Sequence, residues 1–172
     1  MPMYLYLGDI TRMETDAIVN AAGTDLRRFP GICDAIFAAA DTEKLERACR
    51  KLGRCRIGQA VATPGCGLPC RYIIHVAGPG WYGGEPRERF LLAGCYQNAL
   101  HKAYLCSCRR VAGPLIFSGD CHMPRAASLR VAGAAIADFC QRHPSMEVTL
   151  VLYRQSIYDM AKRILGWEDA PS

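Results

Sequence analysis

The chain has 172 residues, 51% of them hydrophobic and 22% charged, with a net charge of +5. This length and balance fit one folded domain whose core needs neither disulfides nor metal, and they exclude a disordered chain. The longest apolar stretches, such as Val131 to Ala137, are too short to span a membrane.

Met1-Pro2-Met3-Tyr4 begins a strand rather than a basic and apolar leader, so an uncleaved cytoplasmic protein is expected. The densest basic cluster is Arg47, Arg50, Lys51, Arg54 and Arg56, on and just after one predicted helix. It reads as a solvated face; an RNA-binding module is the alternative, although no aromatic residues are interleaved. Ten cysteines are many for this length, yet no C-x-x-C pair occurs, and the spacings Cys66/Cys70 and Cys106/Cys108 do not suit a zinc ribbon. Most are expected to be free thiols packed as small hydrophobes.

In chain order, Met3 to Leu7 reads as a strand and Gly8-Asp9-Ile10-Thr11 as a turn at its carboxyl end. Asp9 there either accepts from an exocyclic amine of a ligand or closes on nearby backbone amides. Asp16 to Val19 is a short buried strand with a small-residue exit at Asn20 to Gly23, followed by a loop with Pro30 and Gly31 and a helix over Ala35 to Ala40. Amides at such a loop-to-helix junction lack partners and point outward, so the junction suits the phosphate of a ligand. Asp41 or Thr42 caps a helix that Gly53 stops; Gln59 to Thr63 and Arg71 to Val76 are strands, and His75 within the second is read as a hydrogen-bonded core residue.

Gly78-Pro79-Gly80-Trp81-Tyr82-Gly83 matches G-x-G-x-x-G, but Gly84, Glu85 and Pro86 delay the next helix, against a dinucleotide-fold reading. The helix from Pro86 to about Leu105 lines one face with residues including Leu92, Cys95, Tyr96 and Ala99. Arg110 to Phe117 is a strand. The loop Ser118 to Pro124 then opens a helix carrying Leu129, Ile136 and Phe139, which makes a second strand-loop-helix junction. Val148 to Tyr153 is the last strand and Ile157 to Leu165 marks a terminal helix. Strands alternating with helices imply a three-layer α/β/α domain over residues 1–172, with its ligand in the crevice where the two loops meet.

GDIT at Gly8 to Thr11, DAIVNAA at Asp16 to Ala22, TPGCGLPCRYIIHVAGPGWYGG at Thr63 to Gly84, CYQNAL at Cys95 to Leu100 and the Ser118 to Pro124 loop together resemble the macrodomain family, across almost the whole chain. The resemblance implies a mixed, mostly parallel sheet of about six strands between helices. It also implies a cleft for ADP-ribose or an ADP-ribosylated protein. A monomer without cofactor, membrane or nucleic-acid partner is expected. By position, Asp9 bonds the adenine amine beside the Ile10 amide. The Gly31, Ile32 and Cys33 amides and the Ser118, Gly119, Asp120, Cys121, His122 loop wrap the diphosphate, and Tyr153 packs on adenine or ribose. Asn20 and Gly23 complete the implied binding set.

The chain departs from the family's N-A-A-N-x-x-L-x-G-G-G-G-V-D-G-A-I segment in three ways. Gly23 replaces the second asparagine, Cys33 replaces the aspartate often assigned to activating water, and Arg28-Phe29-Pro30 replace three glycines. General-base help of this kind contributes about 10²–10⁴ in rate, so the usual hydrolytic route should be nearly abolished while binding survives. Asp34, one residue along a helix start, would point about 100° away from the lost carboxylate. The expected function is binding of ADP-ribose or a derivative. The alternative is an ADP-ribosyl hydrolase or O-acetyl-ADP-ribose deacetylase with Cys33, Asp34 and His122 as catalytic groups, Cys121 beside them. A third reading of the same loops is a zinc site made of Cys33, Cys121 and His122.

Overall fold

A computed structural model describes residues 2–78, 86–116 and 123–171. The expected residues Phe117, Ser118, Gly119, Asp120, Cys121 and His122 lie outside the described residues, as does the G-x-G-x-x-G segment beyond Gly78.

Seven strands form one sheet: β1 (Met3–Leu7), β2 (Thr15–Ala22), β3 (Ala60–Pro64), β4 (Cys70–Ala77), β5 (Arg110–Pro114), β6 (Glu147–Leu152) and β7 (Glu168–Asp169), in the order β3-β4-β2-β5-β6-β1-β7. Every neighbouring pair is parallel except β3 with β4. The mixed, mostly parallel α/β sandwich is therefore as the resemblance implies, with one strand more than the six anticipated. The addition, β7, pairs only Glu168 with Tyr4 and Asp169 with Leu5, and two residues are too few to show a period.

Five helices cover the sheet: α1 (Ile32–Ala39), α2 (Thr42–Leu52), α3 (Pro86–Leu105), α4 (Arg125–Arg142) and α5 (Gln155–Leu165). Alternation along β2 divides the core between the two faces. Ala17, Val19 and Ala21 join the apolar cluster under α3, α4 and α5, whereas Ile18 and Ala22 join the one under α1 and α2. Asn20, in phase with Ile18 and Ala22, faces α1. β2 also runs three residues beyond the expected Val19. Asn20, Ala21 and Ala22 continue the ladder against His75, Val76 and Ala77, because small side chains fit a strand closed in on both faces.

Two contacts set up the end of β5. The Tyr96 hydroxyl of α3 donates to the Pro114 carbonyl at 3.2 Å and accepts from the Ile116 amide at 2.8 Å. Ser128 Oγ of α4 donates to the Ile116 carbonyl at 3.0 Å. The chain leaving the strand is thus held by side chains from two helices after the ladder has stopped. β5 itself ends at Pro114, earlier than the expected Phe117.

Candidate functional site

Where the parallel strands end, a cavity of about 560 Å³ opens, within the range of small-molecule sites. Ala21, Pro114, Leu115, Val151 and Leu152 line it from the strand ends. Gly8, Asp9 and Ile10 line it after β1, and Phe29 to Ile32 before and at the start of α1. Arg125 of α4 and Tyr153, Arg154 and Ile157 around the start of α5 complete the wall.

Three helices thus present their amino ends to one cavity, and none of the three has a side-chain N-cap. Gly31, Pro124 and Arg154 occupy the cap positions of α1, α4 and α5 without a capping hydrogen bond. By contrast α2, which does not reach the cavity, is capped by Asp41, whose carboxylate accepts from the Lys44 amide at 3.2 Å. In α1 the first backbone bond runs from the Ala35 amide to the Gly31 carbonyl, so the Ile32, Cys33 and Asp34 amides have no acceptor in the helix. Gly31 has φ 100° and ψ −143°, a conformation that in practice only glycine adopts. Uncapped amides and three positive helix ends converge on one space, which is the electrostatics of an anion site.

Asp9 lines the same cavity after β1. It caps a short 3₁₀ turn over Ile10–Arg12, and its Oδ1 accepts from both the Thr11 amide (2.9 Å) and the Thr11 hydroxyl (2.7 Å). Oδ2 accepts nothing among the described residues. The two readings of Asp9 are therefore compatible, with one oxygen closing the turn and the other open to a ligand. The Gly8 amide donates to the Leu152 carbonyl at 2.9 Å, which brings Asp9 beside Tyr153.

Beneath α1, three adjacent strands carry a buried polar chain. His75 Nδ1 lies 3.0 Å from Asn20 Nδ2, and His75 Nε2 lies 2.9 Å from Thr63 Oγ1. Burial pushes the imidazole down to about 4, so it is neutral, and the hydrogen-bonded core role expected of His75 agrees with this surrounding. Asn20 Nδ2 also points at Cys33 Sγ, 3.7 Å away, and the thiol donates to the Arg27 carbonyl at 3.8 Å. Asn20 Oδ1 is buried without a partner among the described residues.

The family model for the macro domain matches residues 19–132. An O-acetyl-ADP-ribose deacetylase from Escherichia fergusonii is 38% identical over 168 residues, 95% of this chain and 94% of that protein. The chain belongs to the macro domain family. Among solved structures, the Oceanobacillus iheyensis macrodomain with ADP superposes with a TM-score of 0.89 at 31% identity, over 94% of this chain and 88% of the other. The Trypanosoma brucei macrodomain in complex with ADP-ribose gives 0.86 at 26% identity, over 95% and 69%.

In this macrodomain Asp9, Ile10, Gly31, Ile32 and Tyr153 share the cavity wall. Asn20, Gly23, Cys33 and Asp34 do not belong to that wall. Cys33 is 1% exposed and packs into the apolar cluster between α1 and the sheet. Burial foremost raises its pKa, which keeps it a thiol. Asp34 is exposed and paired with Arg28. Gly23 accepts the Leu26 amide in a turn at 3.1 Å. No group of three or more metal-ligating side chains occurs among the described residues, and no helix among them is long and apolar enough to cross a membrane. Arg47, Arg50, Lys51, Arg54 and Arg56 are all exposed, and none lines the cavity.

Sequence reasoning missed Arg125, Arg154 and the start of α5. The missing signal is a lack of Ser, Thr, Asn or Asp at Gly31, Pro124 and Arg154, the cap positions where those residues are otherwise favoured.

Proposed function

We propose that this macrodomain binds ADP-ribose or a close derivative in the cavity at the carboxyl end of the sheet. The observation that carries the reading is the convergence of three uncapped helix ends on a space whose wall also holds the Asp9 carboxylate. The amides of Ile32 and its neighbours suit the diphosphate, since backbone donors bind phosphate without lysine. Asp9 Oδ2, beside the Ile10 amide, suits the adenine amine, and Tyr153, 80% exposed at the rim, offers a face for the base. The names of its relatives support the same ligand class. Titration calorimetry with ADP-ribose tests it: saturable one-to-one binding is expected, and absence of binding at millimolar nucleotide would overturn it.

The second reading is hydrolysis of an ADP-ribosyl or O-acetyl linkage, favoured by the deacetylase of Escherichia fergusonii. In this chain the thiol of Cys33 is a poor candidate for the reacting group. It is protonated, shielded and aimed at Arg27 rather than at the cavity, and Asp34 is engaged by Arg28. His122 is the group left to carry it. Release of acetate from O-acetyl-ADP-ribose by the wild type and by Cys33→Ala, Asp34→Asn and His122→Ala separates the cases. Turnover unaffected by Cys33→Ala and Asp34→Asn is expected if activity is present, and loss of turnover in Cys33→Ala would restore the thiol.

A further inference from the structure

Among the described residues, the charged side chains on the cavity wall are Asp9, Arg125 and Arg154. Among the described residues the arginine ion pairs lie elsewhere: Arg28 with Asp34, Arg71 with Asp16, Arg110 with Glu147 and Arg142 with Asp138. The guanidiniums of Arg125 and Arg154 have neither a carboxylate partner nor a hydrogen bond among the described residues. Both also stand at the amino ends of helices, α4 and α5, where a cation is repelled by the helix dipole and gains nothing from the fold. Arg154 is exposed and Arg125 half-buried, so both guanidiniums are free to meet an anionic group of a ligand in the cleft.

A diphosphate does not require them, because the amide-lined start of α1 already offers donors for it. Their place in the sheet indicates what else they meet. Arg154 follows Tyr153 directly after β6, and β6 is paired with β1 up to Leu7 and Leu152, so Arg154 comes from the same rim as Asp9. Arg125 heads α4, which packs against α5. Arg154 therefore belongs to the rim that holds Asp9 and Tyr153, where the base and its sugar are proposed to sit, and Arg125 lines the same cavity. An arginine beside the ribose is also how dinucleotide sites accept a 2′-phosphate, through planar and bidentate donors.

We infer that Arg125 and Arg154 form a subsite for a phosphomonoester on the adenosine ribose, so that the preferred ligand is an ADP-ribose phosphorylated at the 2′ or 3′ hydroxyl. This inference rests on the ADP-ribose reading of the cavity.

The test is calorimetry at low salt with ADP-ribose and with ADP-ribose 2′-phosphate, on the wild type and on the Arg125→Gln/Arg154→Gln double variant; 2′,5′-ADP and 3′,5′-ADP distinguish the two positions. The wild type is expected to bind the 2′-phosphorylated ligand, or 3′,5′-ADP over 2′,5′-ADP, about tenfold or more tightly than its comparator. The double variant should lose that preference, read as the ratio of its affinities for the phosphorylated and unphosphorylated ligands. Equal affinity for ADP-ribose and its 2′-phosphate with no discrimination between the ADP isomers overturns the subsite and leaves the ADP-ribose reading standing. A preference that survives in the double variant overturns the assignment to these arginines. Failure of every nucleotide to bind overturns both readings.

Discussion

Asp9 Oδ1 closes the turn at Thr11, and this structural task can be separated by substitution from the ligand contact proposed for Oδ2. Asp9→Ala removes the acceptor for both Thr11 donors and should cost about 0.5–2 kcal/mol of stability, as loss of a cap does. It should also weaken ADP-ribose by about 10- to 100-fold, the size of a charge-assisted hydrogen bond. Asp9→Asn keeps an oxygen for Thr11 and should retain most of the stability while still losing affinity. Urea unfolding and calorimetry on both variants check this, and undiminished affinity in Asp9→Ala would remove the adenine assignment.

His75 makes a second prediction at the same scale. Its pKa is near 4 in the fold and about 6.5 in an unfolded chain. The unfolded state therefore binds the extra proton, and the contribution is complete above pH 6.5 and lost as pH falls toward 4. By pH 5 the loss should reach about 2 kcal/mol. Unfolding free energies at pH 7 and pH 5 should thus differ less in His75→Gln than in the wild type. The same pH slope in both proteins would mean that His75 is not the titrating group.

At the scale of elements, the cradle depends on how α1 begins and how β5 ends. A Cβ at Gly31 would meet nothing within 4 Å, so the cost of Gly31→Ala is backbone conformation alone, about 1–3 kcal/mol. Relief of that strain would turn the Ile32 amide away from the cavity, so ADP-ribose affinity should fall more than stability does. Calorimetry beside thermal unfolding measures the two. Tyr96→Phe deletes both bonds of the hydroxyl and leaves the buried Ile116 amide unsatisfied, at a cost of about 1–3 kcal/mol. Leu115 lies between Pro114 and Ile116, so weakened binding should accompany the lower urea midpoint.

For the molecule as a whole, a ligand that binds only the folded state must stabilise it. ADP-ribose at a hundredfold excess over its Kd should add about 2.7 kcal/mol to unfolding. A melting temperature unmoved by ADP-ribose would contradict the proposed function independently of calorimetry.

Much of this architecture was legible before any coordinates. The helix bounds at Thr42–Leu52 and Pro86–Leu105 follow from Asp41, Gly53 and Pro86, and the first strand–turn and the Gly31 junction follow from alternation interrupted by glycine and proline. Other features were not, because they arise between distant residues. The extension of β2 through Asn20 needs the ladder with β4, and β7 exists only because Tyr4 and Leu5 leave an edge for it. Cys33 illustrates the limit most plainly. Its position in the motif pointed to the ligand, whereas helix phase and the packing of α1 on the sheet turned its side chain inward.

The order of residues alone determined the class of fold, the positions of the glycine- and proline-marked junctions and the residue types at the rim, because periodicity and turn chemistry are local. Only the tertiary structure decided that three helix ends share one cavity, that Arg125 and Arg154 line it and that Cys33 does not. Those outcomes depend on which strands lie side by side and which face of each helix is buried, and neither is encoded in a single stretch of chain.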